Sequence, residues 1–255
     1  MENEPAPPPA AATPPRKPLV GPAYRAFIWE LLRRKNARNY LEVGVRDGGT
    51  IVNATCPTIG VDPNFAFRIS PMGKKRALHL FQMTSDEFFR EYDPKAILGA
   101  PVDFAFLDGL HQFEYLLRDF INTERCCNRD SVILLDDCLP VNIEMTERTH
   151  TRATRVDVEI KDYWTGDVWK VVSILRKYRP DLRITPVDVQ PTGSILVSNL
   201  NPDSPVLYDR YFEILDEFAN LELTEAAFDA YWTLNAPVAA ETILNGFDYS
   251  LFLRA

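Results

Sequence analysis

Residues 21 to 203 predict a doubly wound α/β fold on three observations. Seven short apolar segments alternate with amphipathic helical stretches, a glycine-bearing turn follows the first segment, and acidic residues recur where later segments end. The alternation implies right-handed crossovers and a mostly parallel, seven-stranded, Rossmann-like sheet with helices on both faces.

Each element has its own signal. Tyr24, Phe27, Ile28, Leu31 and Leu32 recur at helical spacing, and Arg33, Arg34 and Lys35 suit the negative end of that helix. Strands are predicted at Asn39 to Val43, Thr58 to Val61, Ala77 to Met83, Val102 to Leu107 and Ser131 to Leu135. Thr84 or Ser85 caps a helix through DEFFREY. Phe113, Leu116, Leu117, Phe120 and Ile121 form one apolar helix face. A further helix, Thr165 to Tyr178, precedes the last two strands, LRITPVDV and GSILVSNL. Residues 1 to 20, rich in Pro and Ala, lack the apolar bulk to order themselves and read as a disordered tail. Residues 204 to 255 read as a C-terminal helical extension, with Tyr208, Phe212, Leu215 and Phe218 on one stripe that either caps the fold or offers a surface for a homo-oligomer.

A chain of 255 residues with 46% hydrophobic and 25% charged residues is long enough to bury a sizeable core. A net charge of −8 argues against a nucleic-acid partner. No apolar run is long enough for a bilayer span, and no signal peptide is legible, so no membrane association is expected. Cys56, Cys126, Cys127 and Cys138 show no metal or disulfide spacing, as expected of a cytoplasmic protein.

The turn lies in LEVGVRDGGT. Ligands of open parallel sheets bind beyond the carboxyl ends of the strands. Gly44 lets the chain turn, Gly48 and Gly49 allow close backbone approach, and Thr50 offers a hydroxyl. Glu42, one residue inside the strand end, would repel a pyrophosphate but not a cationic ligand. Asp62 ends the second strand, where a carboxylate can accept from both ribose hydroxyls. Together these residues describe a nucleoside bearing positive charge; the alternative is a tight turn with a surface acid nearby.

The pieces LEVGVRDGGT, IGVD, FLDGLHQFEYLLRDF, VILLDDC and WTGDVWK, in this order over roughly residues 39 to 200, resemble class I S-adenosylmethionine-dependent methyltransferases. Within these, the chain looks most similar to macrocin-type and related small-molecule O-methyltransferases. The resemblance implies that Glu42, Gly44 and Thr50 hold the methionine part of S-adenosylmethionine, that Asp62 takes the ribose, and that Ser85 and Asp86 lie beside the adenine. Arg46 departs from the family, which more commonly has glycine there; its side chain either points outward or meets the cofactor carboxylate.

The chemical end is expected at Asp108, which also borders the cofactor, and at Asp136 and Asp137, since adjacent parallel strands bring their carboxyl ends together. Three carboxylates suit Mg2+ or Mn2+. The catechol-type O-methyltransferases, which are similar here, imply Asp108, Asp136 and Asp137 as metal ligands, with Asp137 replacing the usual asparagine. His111, three residues after Asp108, is the candidate general base and, second, a metal ligand. The plainer readings are helix caps for the acids and a satisfied helix-terminal histidine. His79 reads as structural and His150 as solvated. The segment from Leu139 to Trp164 reads as a lid over a polar acceptor or as a disordered excursion.

The function expected is methyl transfer to a hydroxyl of a small molecule such as a sugar, phenol or natural product. N-methylation would use the same frame. A nicotinamide-dependent oxidoreductase is disfavoured by Glu42 and by the absence of a compact G-x-G-x-x-G. A non-catalytic nucleoside-binding domain is disfavoured by the acid and histidine cluster.

Overall fold

The computed structural model describes Lys17 and residues 19 to 245. Most of the tail expected over residues 1 to 20 therefore lies outside the described residues, as do residues 246 to 255 of the C-terminal extension. Lys17 N–H donates to the Val141 carbonyl at 2.8 Å, and the N–H groups of Val20 and Gly21 reach Asp188 Oδ1 at 2.9 and 3.0 Å.

The chain begins with helix α1 (Tyr24–Lys35) and strands β1 (Tyr40–Val43), β2 (Thr58–Val61) and β3 (Leu78–Phe81). Helices α2 (Ser85–Glu91) and α3 (Pro94–Leu98) lead to β4 (Val102–Leu107), α4 (Phe113–Glu124) and β5 (Cys127–Leu135). After a long connection come α5 (Trp169–Tyr178), β6 (Arg183–Asp188) and β7 (Ser194–Ser198). The chain continues through α6 (Val206–Asp209), α7 (Tyr211–Phe218), α8 (Glu225–Leu234), β8 (Val238–Ala239) and α9 (Ala240–Asn245).

The strands form one sheet in the order β3-β2-β1-β4-β5-β7-β6-β8. β3, β2, β1, β4 and β5 run parallel, whereas β7 is antiparallel to both β5 and β6. The seven expected strands are joined by an eighth, β8, a two-residue edge strand pairing with β6 through Val187 and Val238. Its brevity leaves no period to read in the sequence. The expected helix from Thr165 starts instead at Trp169, because Gly166 sits in the left-handed region, with φ of 57°, and interrupts a right-handed helix there. Thr84 caps α2 in a reciprocal capping box with Glu87.

The central strands read as continuous apolar runs because both faces are covered. Leu41, Val43, Ala105, Leu107, Ile133 and Leu135 enter one core with α4, α5, α7 and α8. Tyr40, Phe104, Phe106, Val132 and Leu134 enter the other with α1 and α9. Successive residues alternate between the two cores, as a period of two requires.

The strand ends that carry the site are kept level by the ladder itself. Just past its own strand, Gly44 N–H donates to Val61 O, Asp108 N–H to Val43 O and Asp136 N–H to Leu107 O, at 2.9, 2.9 and 3.1 Å. The turns after β1, β2, β4 and β5 consequently open on one edge of the sheet, on either side of the point where strand order reverses between β1 and β4.

Candidate active site

A cavity of about 1300 Å³ lies along this edge. Gly44, Thr50, Asp62, Ser85, Asp86, Asp108, His111, Asp136 and Asp137 all line it. Tyr24 and Arg25 of α1 close one side, and His150, Arg152, Asp162, Tyr163 and Trp164 of the long connection close another.

The turn after β1 is shaped by close approach. Gly44 has φ of 89°, and a β-carbon there would collide with the Asp108 carbonyl. The turns after β1 and β4 thus touch, bringing the glycine turn against an acid. Arg46 also sits in the left-handed region, with φ of 46°, which gives a physical reason for the glycine found more commonly at that position. Its N–H donates to Asp62 Oδ2 at 2.8 Å, while Asn64 N–H donates to Asp62 Oδ1 at 2.7 Å. These two bonds fix the Asp62 carboxylate at the mouth of β2, and its remaining lone pairs can accept from a ligand.

Glu42 and Gly48 do not line the cavity. Positions 40 and 42 share a face of β1, so the Tyr40 hydroxyl donates to Glu42 Oε2 at 2.6 Å, and Glu42 is 1% exposed. Burial pushes the Glu42 carboxyl up to about 8, against the lowering effect of the Tyr40 bond. At neutral pH the group is mostly uncharged, so the repulsion of a pyrophosphate expected of it is largely absent. A β-carbon on Gly48 would face Phe67 and Pro71, so its role is to shape the turn.

On the other side of the reversal, the structure gathers Asp108, His111 and Asp137 so that one potential ligand atom from each lies within 4.8 Å of the others. His111 Nε2 stands 3.4 Å from Asp108 Oδ1, and its Nδ1 stands 3.2 Å from Asp137 Oδ2. Nδ1 also lies 2.6 Å from the Trp164 carbonyl. A carbonyl only accepts, so Nδ1 carries the hydrogen and Nε2 is the position left for chemistry. Burial alone would depress the imidazole pKa, but Asp137, Asp108 and the carbonyl outweigh it and hold it at about 10. Burial pushes Asp108 up to about 6 against the His111 bond, with Asp137 adding to the rise.

Asp136 is expected in the metal set with Asp108 and Asp137. It lines the cavity, but it stands outside this cluster, and Ser194 of β7 donates to its Oδ1 at 2.7 Å. Burial, Asp137 and Asp108 raise its pKa well above the usual carboxylate range. The chain reverses at Asp137, whose φ is 58°, and this turn sends the second acid of the pair toward His111. Thr192 donates to Asp137 Oδ1 from the far side. The set brought together is therefore two carboxylates and an imidazole rather than three carboxylates. That donor set fits a divalent cation, with the nitrogen favouring Mn2+ over Mg2+.

The long connection is ordered against the site rather than extended away from it. The Trp164 ring stacks on His111 at 5.0 Å between centroids and on His150 at 5.7 Å. His150 is exposed, as expected of a solvated residue, and it also borders the cavity beside this indole. His79 is exposed on the edge strand β3, away from the cavity.

Sequence reasoning missed Tyr24, Arg25, Thr192 and Asp119 as cavity residues. Burial, Asp136 and Asp108 raise the Tyr24 pKa, and Arg25 Nε donates to its hydroxyl at 3.1 Å. Asp119 left a readable signal: an acid three residues after Leu116, beside the apolar stripe of a buried helix.

Residues 27–138 match a family model described as a methyltransferase domain. No curated protein matches the chain in sequence. Among solved structures, the chain is similar to the O-methyltransferase TomG from Streptomyces achromogenes, involved in tomaymycin synthesis and solved in complex with SAM. The identity is 16% and the TM-score 0.50, over 72% of this chain and 82% of that one. It is also similar to an O-methyltransferase from Bacillus cereus in complex with SAH, at 15% identity and TM-score 0.46 over 70% and 81% of the two chains. A SAH-bound methyltransferase from Podospora anserina is similar at 10% identity and TM-score 0.47, over 69% and 77%. At 16% identity the likeness to TomG speaks for the fold alone.

Proposed function

We propose that this chain, a class I methyltransferase by its domain match and its fold, moves the methyl group of S-adenosylmethionine onto a hydroxyl of a small polar molecule. The observation that carries this reading is that the Asp62 side of the cavity and the Asp108, His111 and Asp137 cluster open into one space. A cofactor with its ribose on Asp62 and its methionine part near Gly44 and Thr50 would present its sulfonium methyl toward that cluster.

Methyl transfer is an in-line displacement, so the protein has to align the acceptor and deal with its proton. Trp164 and Tyr163 give the acceptor a flat, partly apolar wall, while Arg152, Asp162 and His150 give it polar contacts. Such a lining suits a sugar, phenol or hydroxylated natural product. His111 is held by Trp164 with Nε2 toward Asp108, where it can receive the acceptor proton once the imidazole is neutral. Asp108 and Asp137 would hold a divalent cation, which would supply Lewis-acid polarisation of the acceptor oxygen when bound; His111 would be a third donor only in place of its role as base, since Nε2 has a single lone pair.

Calorimetric titration of the protein with S-adenosylhomocysteine and with NAD tests the cofactor. Micromolar binding of the first and none of the second is expected, and failure to bind S-adenosylhomocysteine overturns the reading. A screen of hydroxylated acceptors with methyl-labelled cofactor then defines the substrate.

A further inference from the structure

We infer that Arg46 and Arg68 form a phosphate-binding rim on the cavity, and that the methyl acceptor carries a phosphate group held there. The second half of this inference rests on the methyl-transfer reading above; the rim itself does not.

Both arginines line the cavity, Arg46 from the turn after β1 and Arg68 from the segment after β2. Their backbones are fixed beside each other. Ala66 N–H donates to Arg46 O at 2.8 Å, and Phe65 and Phe67, stacked at 4.8 Å, flank that bond. A β-carbon on Gly48 would meet the Phe67 ring, so the segment that carries Arg68 lies against the turn that carries Arg46.

The other arginines of the cavity face acids: Arg25 Nη2 lies 3.1 Å from Asp47 Oδ1, and Arg152 pairs with Asp162. Arg46 and Arg68 are exposed, and neither side chain makes a hydrogen bond or ion pair among the described residues. Asp47, the acid next to Arg46, spends both oxygens on Arg25 and accepts from Gly49 N–H as well. Between Asp62 and Asp86 the chain holds Arg68, Lys74, Lys75 and Arg76 but no acid, although its net charge is −8. Such a local excess of positive charge draws an anion to this rim. Arginine also keeps position 46 on a left-handed backbone, with φ of 46°, a cost that contact with a ligand would offset.

The number of guanidinium groups selects the anion. A carboxylate is filled by one two-point arginine pair, whereas a phosphate has a further oxygen for the second arginine. The cofactor's one carboxylate is expected at Gly44 and Thr50 and its ribose at Asp62, which leaves the phosphate to the acceptor. Space allows both, since the cavity of about 1300 Å³ exceeds the roughly 300–1,000 Å³ of sites that hold one small ligand.

The test titrates inorganic phosphate, with acetate as the carboxylate control, into protein saturated with S-adenosylhomocysteine, by calorimetry at low ionic strength. Wild type should bind phosphate; Arg46→Gly and Arg68→Gln should each bind it about tenfold more weakly, and the double variant about a hundredfold more weakly. Arg46→Gly keeps the N–H that Asp62 accepts and relieves the left-handed backbone, so it should fold. Affinity for S-adenosylhomocysteine should stay within about threefold in every variant. Equal phosphate binding by wild type and the double variant, absence in both included, overturns the rim. Acetate bound as tightly as phosphate overturns the choice of anion. A loss of S-adenosylhomocysteine affinity of about tenfold in Arg46→Gly gives the arginine to the cofactor carboxylate and overturns the acceptor's phosphate. Failure of wild type to bind S-adenosylhomocysteine removes the methyl-transfer reading instead, while phosphate titrated into the protein alone still reads the rim.

Discussion

The Nδ1 atom of His111 donates to the Trp164 carbonyl at 2.6 Å, so the histidine at the start of α4 is oriented by the end of a segment that lies far along the chain. The contact is closed from below by Gly166, whose φ is 57° and whose β-carbon, were there one, would collide with the His111 carbonyl. Gly166→Ala should therefore cost roughly 1–3 kcal/mol and free the connection. Thermal melting together with limited proteolysis across residues 146 to 164 checks this. An alanine variant as stable and as resistant as wild type would show that the close approach does not hold the connection.

The same geometry predicts the charge of His111. Two carboxylates and a carbonyl surround the ring and hold its pKa at about 10. In protein stripped of metal, its ring resonances should remain those of imidazolium through neutrality and move only near pH 10. A midpoint near the ordinary 6.5 would mean that the acids do not face it as described. Addition of Mn2+ or Mg2+, by engaging the same acids, should lower the midpoint.

Metal binding distinguishes the acids. Asp108→Ala and Asp137→Ala should each weaken Mn2+ binding at least tenfold, whereas Asp136→Ala should change it by only a few-fold, because Asp136 lies outside the cluster. Titration followed by water-proton relaxation measures all three. Equal losses in the three variants would restore the three-carboxylate set, and no binding by wild type would leave the cluster as a proton-held one.

Glu42 predicts a pH dependence of stability. Its folded pKa of about 8 lies above the ordinary 4.5, so the neutral carboxyl is the form the fold accommodates. The sign follows: this contribution is fully present below about pH 4.5 and is lost as pH rises through about 8. Glu42→Gln keeps an acceptor for the Tyr40 hydroxyl and removes the ionisation. Between pH 5 and 9 the variant should gain on wild type by roughly 4 kcal/mol at most, read from denaturant unfolding. A constant difference across that range would mean that Glu42 is charged throughout.

Arg46 holds a left-handed backbone that glycine adopts freely. Arg46→Gly should be neutral or stabilising by up to about 1 kcal/mol, although glycine at most positions destabilises. A clear drop in melting temperature would show that the arginine side chain makes contacts outweighing its backbone strain.

Legibility of the site followed where periodicity ends. Asp62, Asp108 and His111 were readable because each sits where a strand yields to a turn, and the parallel order puts such turns on one edge. The division between Asp136 and Asp137 was not readable. Adjacent residues diverge by rule, but the left-handed turn at Asp137 decides which of them faces His111, and no spacing encodes it. Glu42 could have been read better, since a period of two pairs it with Tyr40 on one face of the strand. Tyr24 is hidden because its helical spacing is that of a core stripe, and only the tertiary fold shows its hydroxyl near Asp108 and Asp136. For the sheet, what escaped was β8, too short to carry a pattern of its own.

Helix α8 reaches back to the chain just after the acid pair: the Tyr231 hydroxyl donates to Cys138 O at 2.7 Å and Trp232 Nε1 donates to Pro140 O at 2.8 Å. These partners are made 93 and 92 residues later than the backbone they hold. During synthesis, the strands that carry Asp108 and Asp137 can therefore emerge and pair, and Thr192 and Ser194 can bond the acid pair, before α8 is available to hold the backbone just after it. In a nascent chain the backbone after the acid pair would thus be fixed last, as α8 leaves the ribosome and docks.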